Sequence, residues 1–236
     1  MLSILASDFI KIKRKMIWFL IFLGPFGVVA LEAVNFGLRY DYLRKVYEKD
    51  VWAGLIAEAG SLAIPALMLG LTLIASMISN IEHQTNAWKQ LLALPVSKLQ
   101  VFTGKFVLTV LLLFVSSTFL FIGTIILGIF LKFGTDIPFL SLLKMAYYPY
   151  LAAMPFIALQ IWVSITMKNQ AIPLVIGIVG TILSMMSYRF PDWMPWKWPL
   201  LENSWDDPLY SVCFGLACGL AIYLIGLLDF SRKDVK

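Results

Sequence analysis

The chain has little charge, one histidine and two cysteines. Only 14% of its 236 residues are Asp, Glu, Lys or Arg, where an ordinary soluble domain has about 25%. With His83 alone there is no H-E-x-x-H zinc site. Gly104-Lys105 lacks the earlier glycine and the following Ser or Thr of a Walker-type phosphate loop, so the chain has no ATP cradle of that kind. No G-x-S-x-G is present. Cys213 and Cys218 lie five apart in one apolar run. On a helix they point to different faces, so they do not bridge each other and read as buried small residues. These absences exclude a soluble globular enzyme, a disulfide scaffold and a metal or nucleophile-based intramembrane enzyme.

What the chain has is apolar length. Hydrophobic residues make up 60% of it, and the mean hydropathy is +0.84. A spanning helix needs about 20 mostly apolar residues. Six runs qualify: 16–38, 55–81, 106–131, 143–167, 171–188 and 210–230. They are continuously apolar and do not alternate every second residue, which argues against a transmembrane barrel. The expectation is an all-α membrane protein: residues 1–15 as an amphipathic interfacial helix, 16–230 as one six-span domain and 231–236 as a tail. The first run is too long for a signal-peptide core and no A-x-A-like site follows it, so no cleaved leader is expected.

Orientation follows from basic residues in the loops. With both termini inside, the inner segments hold eleven Lys and Arg and the outer ones eight, with a dense cluster at Lys11, Lys13, Arg14 and Lys15. Both termini are therefore expected to be cytoplasmic. The net charge of +5 expresses that bias and headgroup affinity. It does not point to nucleic acid, because no groove-reading or stacking module accompanies it.

Three segments outside the runs carry patterns. In the first fifteen residues, Leu2, Leu5, Phe9 and Ile12 form one helical stripe, with Asp8, Lys11 and Lys15 away from it. Such a helix would lie along the inner interface with its lysines among headgroups; a plain topogenic leader is the other reading. In the inner loop, Trp88, Leu91 and Leu92 recur at helical spacing until Pro95 stops the helix and pushes Leu94 towards extended backbone. Ser97 is then placed as an N-cap, with Gln100 three residues on and Val96 and Val101 as its hydrophobic staple. The loop thus codes a short amphipathic helix, a turn and a new helix, which suits a docking site for a cytoplasmic partner or a helix resting on lipid. The outer loop 189–208 holds four of the eight tryptophans and four of the eleven prolines. Proline prevents a long helix there and tryptophan favours the interface, so short broken elements are expected. Trp193, Trp196 and Trp198 would contact an amphiphilic substrate or simply anchor the loop.

Glu32 and Glu58 fall inside runs. Ionisable groups in a span cost roughly 2.5 kcal/mol or more at its centre and usually face the bundle interior, so both are candidates for a substrate path. Asn35, Gln160 and Asn169 read as helix–helix hydrogen bonds, and Gly215-x-x-x-Gly219 as a close packing face, with an oligomer contact as one use. Pro25, Pro65, Pro155 and Pro173 interrupt four spans.

The inner loop carries a resemblance. Glu82, Asn86-x-Trp88, Leu91-Leu92-x-Leu94-Pro95-Val96-Ser97-Lys98 and Gly104-Lys105 resemble the permease subunits of type-two ABC exporters. Together with Trp196-x-Trp198-Pro199, they look most like permeases of lantibiotic-immunity and bacitracin-resistance transporters. The resemblance implies a bacterial cytoplasmic-membrane permease without enzymatic activity of its own. It would be paired with an identical or homologous permease and served by two cytoplasmic ATPase subunits that hold ATP and Mg. Residues 1–15 would be an elbow helix and the inner loop a coupling helix. Glu82, Asn86, Trp88, Leu91, Leu92, Leu94 and Pro95 would contact the ATPase, and Ser97, Lys98 and Lys105 would pass its motion on. At Lys98 many relatives carry Arg, so a bidentate contact is not expected there. Expulsion of an antimicrobial peptide or other amphiphile is the function implied. An ion- or proton-coupled secondary transporter using Glu32 or Glu58, or a membrane sensor subunit, is the alternative.

Overall fold

A computed structural model describes residues 2–13, 15–84, 97–134 and 136–232. Among these there are helices and no strands. They are α1 (Leu2–Ile12), α2 (Ile17–Leu38), α3 (Tyr40–Val46), α4 (Val51–Gln84), α5 (Lys98–Phe130), α6 (Phe139–Ala152), α7 (Met154–Thr166), α8 (Ala171–Met185) and α9 (Pro208–Arg232).

Four of the described helices, α2, α4, α5 and α9, are long and apolar enough to cross a membrane, or five spans if α6 and α7 count as one bent span. The run 143–167 does not form one straight helix. It breaks by 41° at Ala153. Pro149 lies inside α6 and Pro155 in the first turn of α7. Each removes a backbone N–H from the ladder and crowds the preceding turn. The run 171–188 also differs: its α-helix ends at Met185, and a single 3-10 turn, Ser187–Arg189, follows. Fifteen residues rise about 22 Å, short of a hydrocarbon core of about 30 Å.

Helices α4 and α5 overrun their apolar stretches. They have 34 and 33 residues, about 50 Å each at 1.5 Å per residue. The start of α5 is set by the capping box read from the sequence. The Gln100 N–H donates to Ser97 Oγ at 3.2 Å, and the Ser97 N–H donates to Gln100 Oε1 at 3.3 Å. The helix therefore begins eight residues before the apolar run and carries Lys98 and Lys105 as helical residues.

Small residues set the closest approach. A Cβ on Gly215 would lie 2.6 Å from Ala152 Cα, and one on Gly219 2.7 Å from Met154 Cβ. The G-x-x-x-G face of α9 thus packs within the chain, against the α6–α7 break. Cys213 on the same helix is exposed and Cys218 half-buried, both free, which corrects the reading of them as buried. Among the polar residues read as helix–helix contacts, Gln160 donates to Ser76 Oγ at 3.2 Å and to the Pro173 carbonyl at 2.9 Å, joining α7 to α4 and α8. Asn35 instead donates to Glu32 on its own helix, and Asn169 accepts from the Ala171 N–H at the start of α8.

Candidate functional site

At one end of the bundle, α1, α4 and α5 meet on charged groups. On α1, Asp8 and Ile12 turn inward and are buried, while Ile10 is exposed. Asp8 therefore does not lie on the outward face that the apolar stripe suggested. Lys11 reaches across to α4, with Nζ 3.2 Å from Asp8 Oδ1 and 3.1 Å from Glu82 Oε1. From α5, Lys105 Nζ lies 2.6 Å from Glu82 Oε2 and donates to the Ile78 carbonyl at 3.3 Å. Glu82 and Lys105 are each 1% exposed. Two carboxylates and two ammonium groups balance, which is the condition for keeping charge out of water. Burial by itself would lower the Lys11 ammonium. The neighbouring Glu82 and Asp8 carboxylates outweigh it and hold the group above its ordinary value.

This cluster stands beside the segment read as a coupling helix. Asn86, Trp88, Leu91, Leu92, Leu94 and Pro95 lie outside the described residues. Of the residues grouped with them, Glu82 and Lys105 are brought together inside the helix bundle, and Ser97 caps α5. Lys98 Nζ donates to the Ser231 carbonyl at 3.4 Å, which ties the start of α5 to the end of α9. Sequence reasoning missed two supports of that end. Trp162 Nε1 donates to Asp229 Oδ2 at 2.9 Å, and Phe102 packs on Phe230 with ring centroids 6.0 Å apart. The pairing of Lys11 with Asp8 and Glu82 was also missed; a three-residue spacing of opposite charges on α1 was its only signal.

The residues read as a substrate path do not form one surface. Glu32 is 2% exposed, and its Oε2 accepts from Asn35 Nδ2 at 3.2 Å. Glu58 is half-buried and accepts from the Tyr47 hydroxyl at 2.8 Å. That bond to a carboxylate holds the Tyr47 phenol above its ordinary value. Trp193 is 72% exposed, but Trp198 is buried at 8%. Trp198 stacks on Phe214 at 6.0 Å, and its Nε1 donates to the Asp192 carbonyl at 2.8 Å. Trp196 packs on Phe156 at 5.8 Å, next to the α6–α7 break. The outer segment is broken as its prolines require, into turns and the 3-10 helix Pro195–Leu200. Asp192 fastens it: Lys197 Nζ lies 2.7 Å from Oδ1, and the Ser204 hydroxyl and N–H donate to Oδ2. Trp205, which the sequence reading did not single out, is exposed beside Tyr210.

Between α2, α4, α5 and α6 lies an apolar cavity of about 40 Å³, lined among others by Gly24, Pro25, Gly70, Ser117 and Pro149. Ligand sites for drug-sized molecules take roughly 300–1,000 Å³, so this cavity does not enclose a peptide.

Comparison with curated proteins and with solved structures returned no match. The sequence profile of the ABC-2 family transporter protein matches residues 4–184 of the 236. Permeases of this family are membrane subunits that generally work with ATP-binding subunits. The match runs from α1 to the end of α8, through the charged cluster and both long helices, and the chain belongs to the ABC-2 transporter family as a multi-pass membrane permease.

Proposed function

We propose that this chain is the membrane subunit of an ATP-driven exporter that expels a cationic antimicrobial peptide or another amphiphile from a bacterial cytoplasmic membrane. The family membership supports the permease role. The single observation that carries export of an amphiphile is the outer segment, where Trp193 and Trp205 are exposed on a loop held in place by Asp192.

In this reading both termini face the cytoplasm, the six apolar runs all cross, the short α8 being continued by the 3-10 turn Ser187–Arg189, and two such permeases, identical or homologous, form the pathway. Two ATPase subunits with ATP and Mg dock on residues 86–95. Closure of the ATPases would draw the docked segments together, and α5 would carry that displacement into the membrane. ATP shifts the equilibrium only by binding one state better than the other. Residues 1–15 act as the elbow helix.

The test begins with mild-detergent purification and mass spectrometry of what co-purifies in stoichiometric amount. A Walker-containing ATPase is expected, lost when Trp88 and Leu92 are replaced by Glu. Deleting permease and ATPase together is expected to lower resistance to an amphiphilic peptide; unchanged resistance refutes the export reading. A secondary transporter is favoured by the burial of Glu32. Transport that survives Glu32→Gln with Glu58→Gln disposes of it.

A further inference from the structure

We infer that Glu82 is a positioning residue that locks α1 to the two helices flanking the coupling segment, through Lys11 and Lys105, so that α1, α4 and α5 move together. The mechanical role rests on reading residues 86–95 as the ATPase contact; the lock itself does not. The resemblance to type-two ABC permeases places Glu82 among residues that touch the ATPase. At 1% exposure its carboxylate faces inward, and each oxygen already serves a different helix: Oε1 the Lys11 ammonium at 3.1 Å, Oε2 the Lys105 ammonium at 2.6 Å.

The position of the lock gives it a use. Glu82 lies in the last turn of α4, and Lys105 lies two turns into α5. The segment 85–96 connects those two helices. A force applied to it reaches both roots, and the Glu82–Lys105 pair keeps one root from sliding past the other. Ile12 and the partly buried Leu5 and Phe9 already hold α1 by its apolar side. Apolar contact alone tolerates rotation and sliding. A charge pair of fixed geometry does not, because any displacement leaves a carboxylate away from water without its partner.

The two arms differ. The Lys105 side chain is 2% exposed and the Lys11 side chain 31%. Lys11 also keeps Asp8, at 3.2 Å on its own helix, when Glu82 is lost. The Lys105 arm is therefore the permanent one, and the Lys11 arm can be removed with the fold intact once the buried Asp8 carboxylate paired with it is neutralised as Asn.

The experiment uses the full chain in lipid nanodiscs, in a background of Cys213→Ser and Cys218→Ser, which leaves one thiol to label, and Asp8→Asn, which leaves no lone carboxylate on α1, with a spin label on Ile10→Cys, since Ile10 is 72% exposed. Lys11→Met is expected to mobilise the label several-fold at an unchanged unfolding temperature, and Lys11→Arg to restore the parent spectrum. In the complex with the ATPase that co-purifies, Lys11→Met is expected to leave basal ATP hydrolysis alone and to reduce its stimulation by peptide several-fold. A label spectrum unchanged by Lys11→Met overturns the lock, since α1 is then held by its apolar face alone. A mobilised label with full stimulation overturns its role in coupling. If no ATPase is bound by the parent protein, the exporter reading fails while the label still decides the lock.

Discussion

Gly215 of α9 lies directly on the backbone of Ala152, the last residue of α6, so close that a Cβ at position 215 would sit 2.6 Å from the Ala152 Cα. The contact is with main chain and has no flexible side chain to move aside. Gly215→Ala is expected to push α9 off the α6–α7 break and to destabilise the fold by about 1–3 kcal/mol, as overpacking does. Gly27→Ala, on α2 and away from the step before a proline, is the control. Nothing lies within 4 Å of its new Cβ, and a mid-helix Gly-to-Ala change stabilises by roughly 0.5–1 kcal/mol. Thermal unfolding in detergent should shift in opposite directions for the two variants.

The Glu82–Lys105 pair makes a second, sharper expectation. Lys105→Met leaves a carboxylate that is 1% exposed without its main partner, and losing one member of a buried pair costs about 3–5 kcal/mol. Glu82→Gln with Lys105→Met removes both charges and should recover most of that loss. A double-mutant cycle on unfolding free energy reads the difference. Independent, additive losses would mean that the two side chains do not act as a pair.

Asp192 predicts an acid release of the outer segment. Hydrogen bonds from Lys197 and Ser204 to the charged form hold its carboxyl at about 2, below the ordinary 3.8. Because the folded value is the lower one, the fastening is complete above about 3.8 and is lost as pH falls through about 2. An acid-active protease should spare the segment at pH 4 and cut it near pH 2. In Asp192→Asn it should cut at both.

The tryptophans of the outer segment should separate into two kinds. Trp198 is buried and hydrogen-bonded, so Trp198→Ala should cost about 3–5 kcal/mol, the range for deleting a large core aromatic. Trp193 is 72% exposed, so Trp193→Ala should leave the unfolding temperature within error and act, if at all, on peptide resistance. Equal destabilisation by both substitutions would mean that the outer segment packs differently.

Much of the helical content was legible from hydropathy, because continuous apolar length is a local property. The start of α5 was legible too, since a capping box needs only Ser97 and Gln100 three residues apart. The broken outer segment followed from its prolines. Other features depended on neighbours far along the chain. Pro149 and Pro155 end a turn each, but a 41° break also requires a surface that accepts it, which Gly215 and Gly219 provide. The tryptophans of one short loop look alike in sequence; Phe156 and Phe214 decide which of them turn inward. Periodicity placed Asp8 on the polar side of α1, because it weighs hydrophobicity and is blind to a charge waiting on another helix. Lys11 lies 71 positions from Glu82, and Lys105 lies 23. An ion pair in a dry interior is formed by whatever the packed helices bring within about 3 Å, and no spacing along one helix encodes that distance.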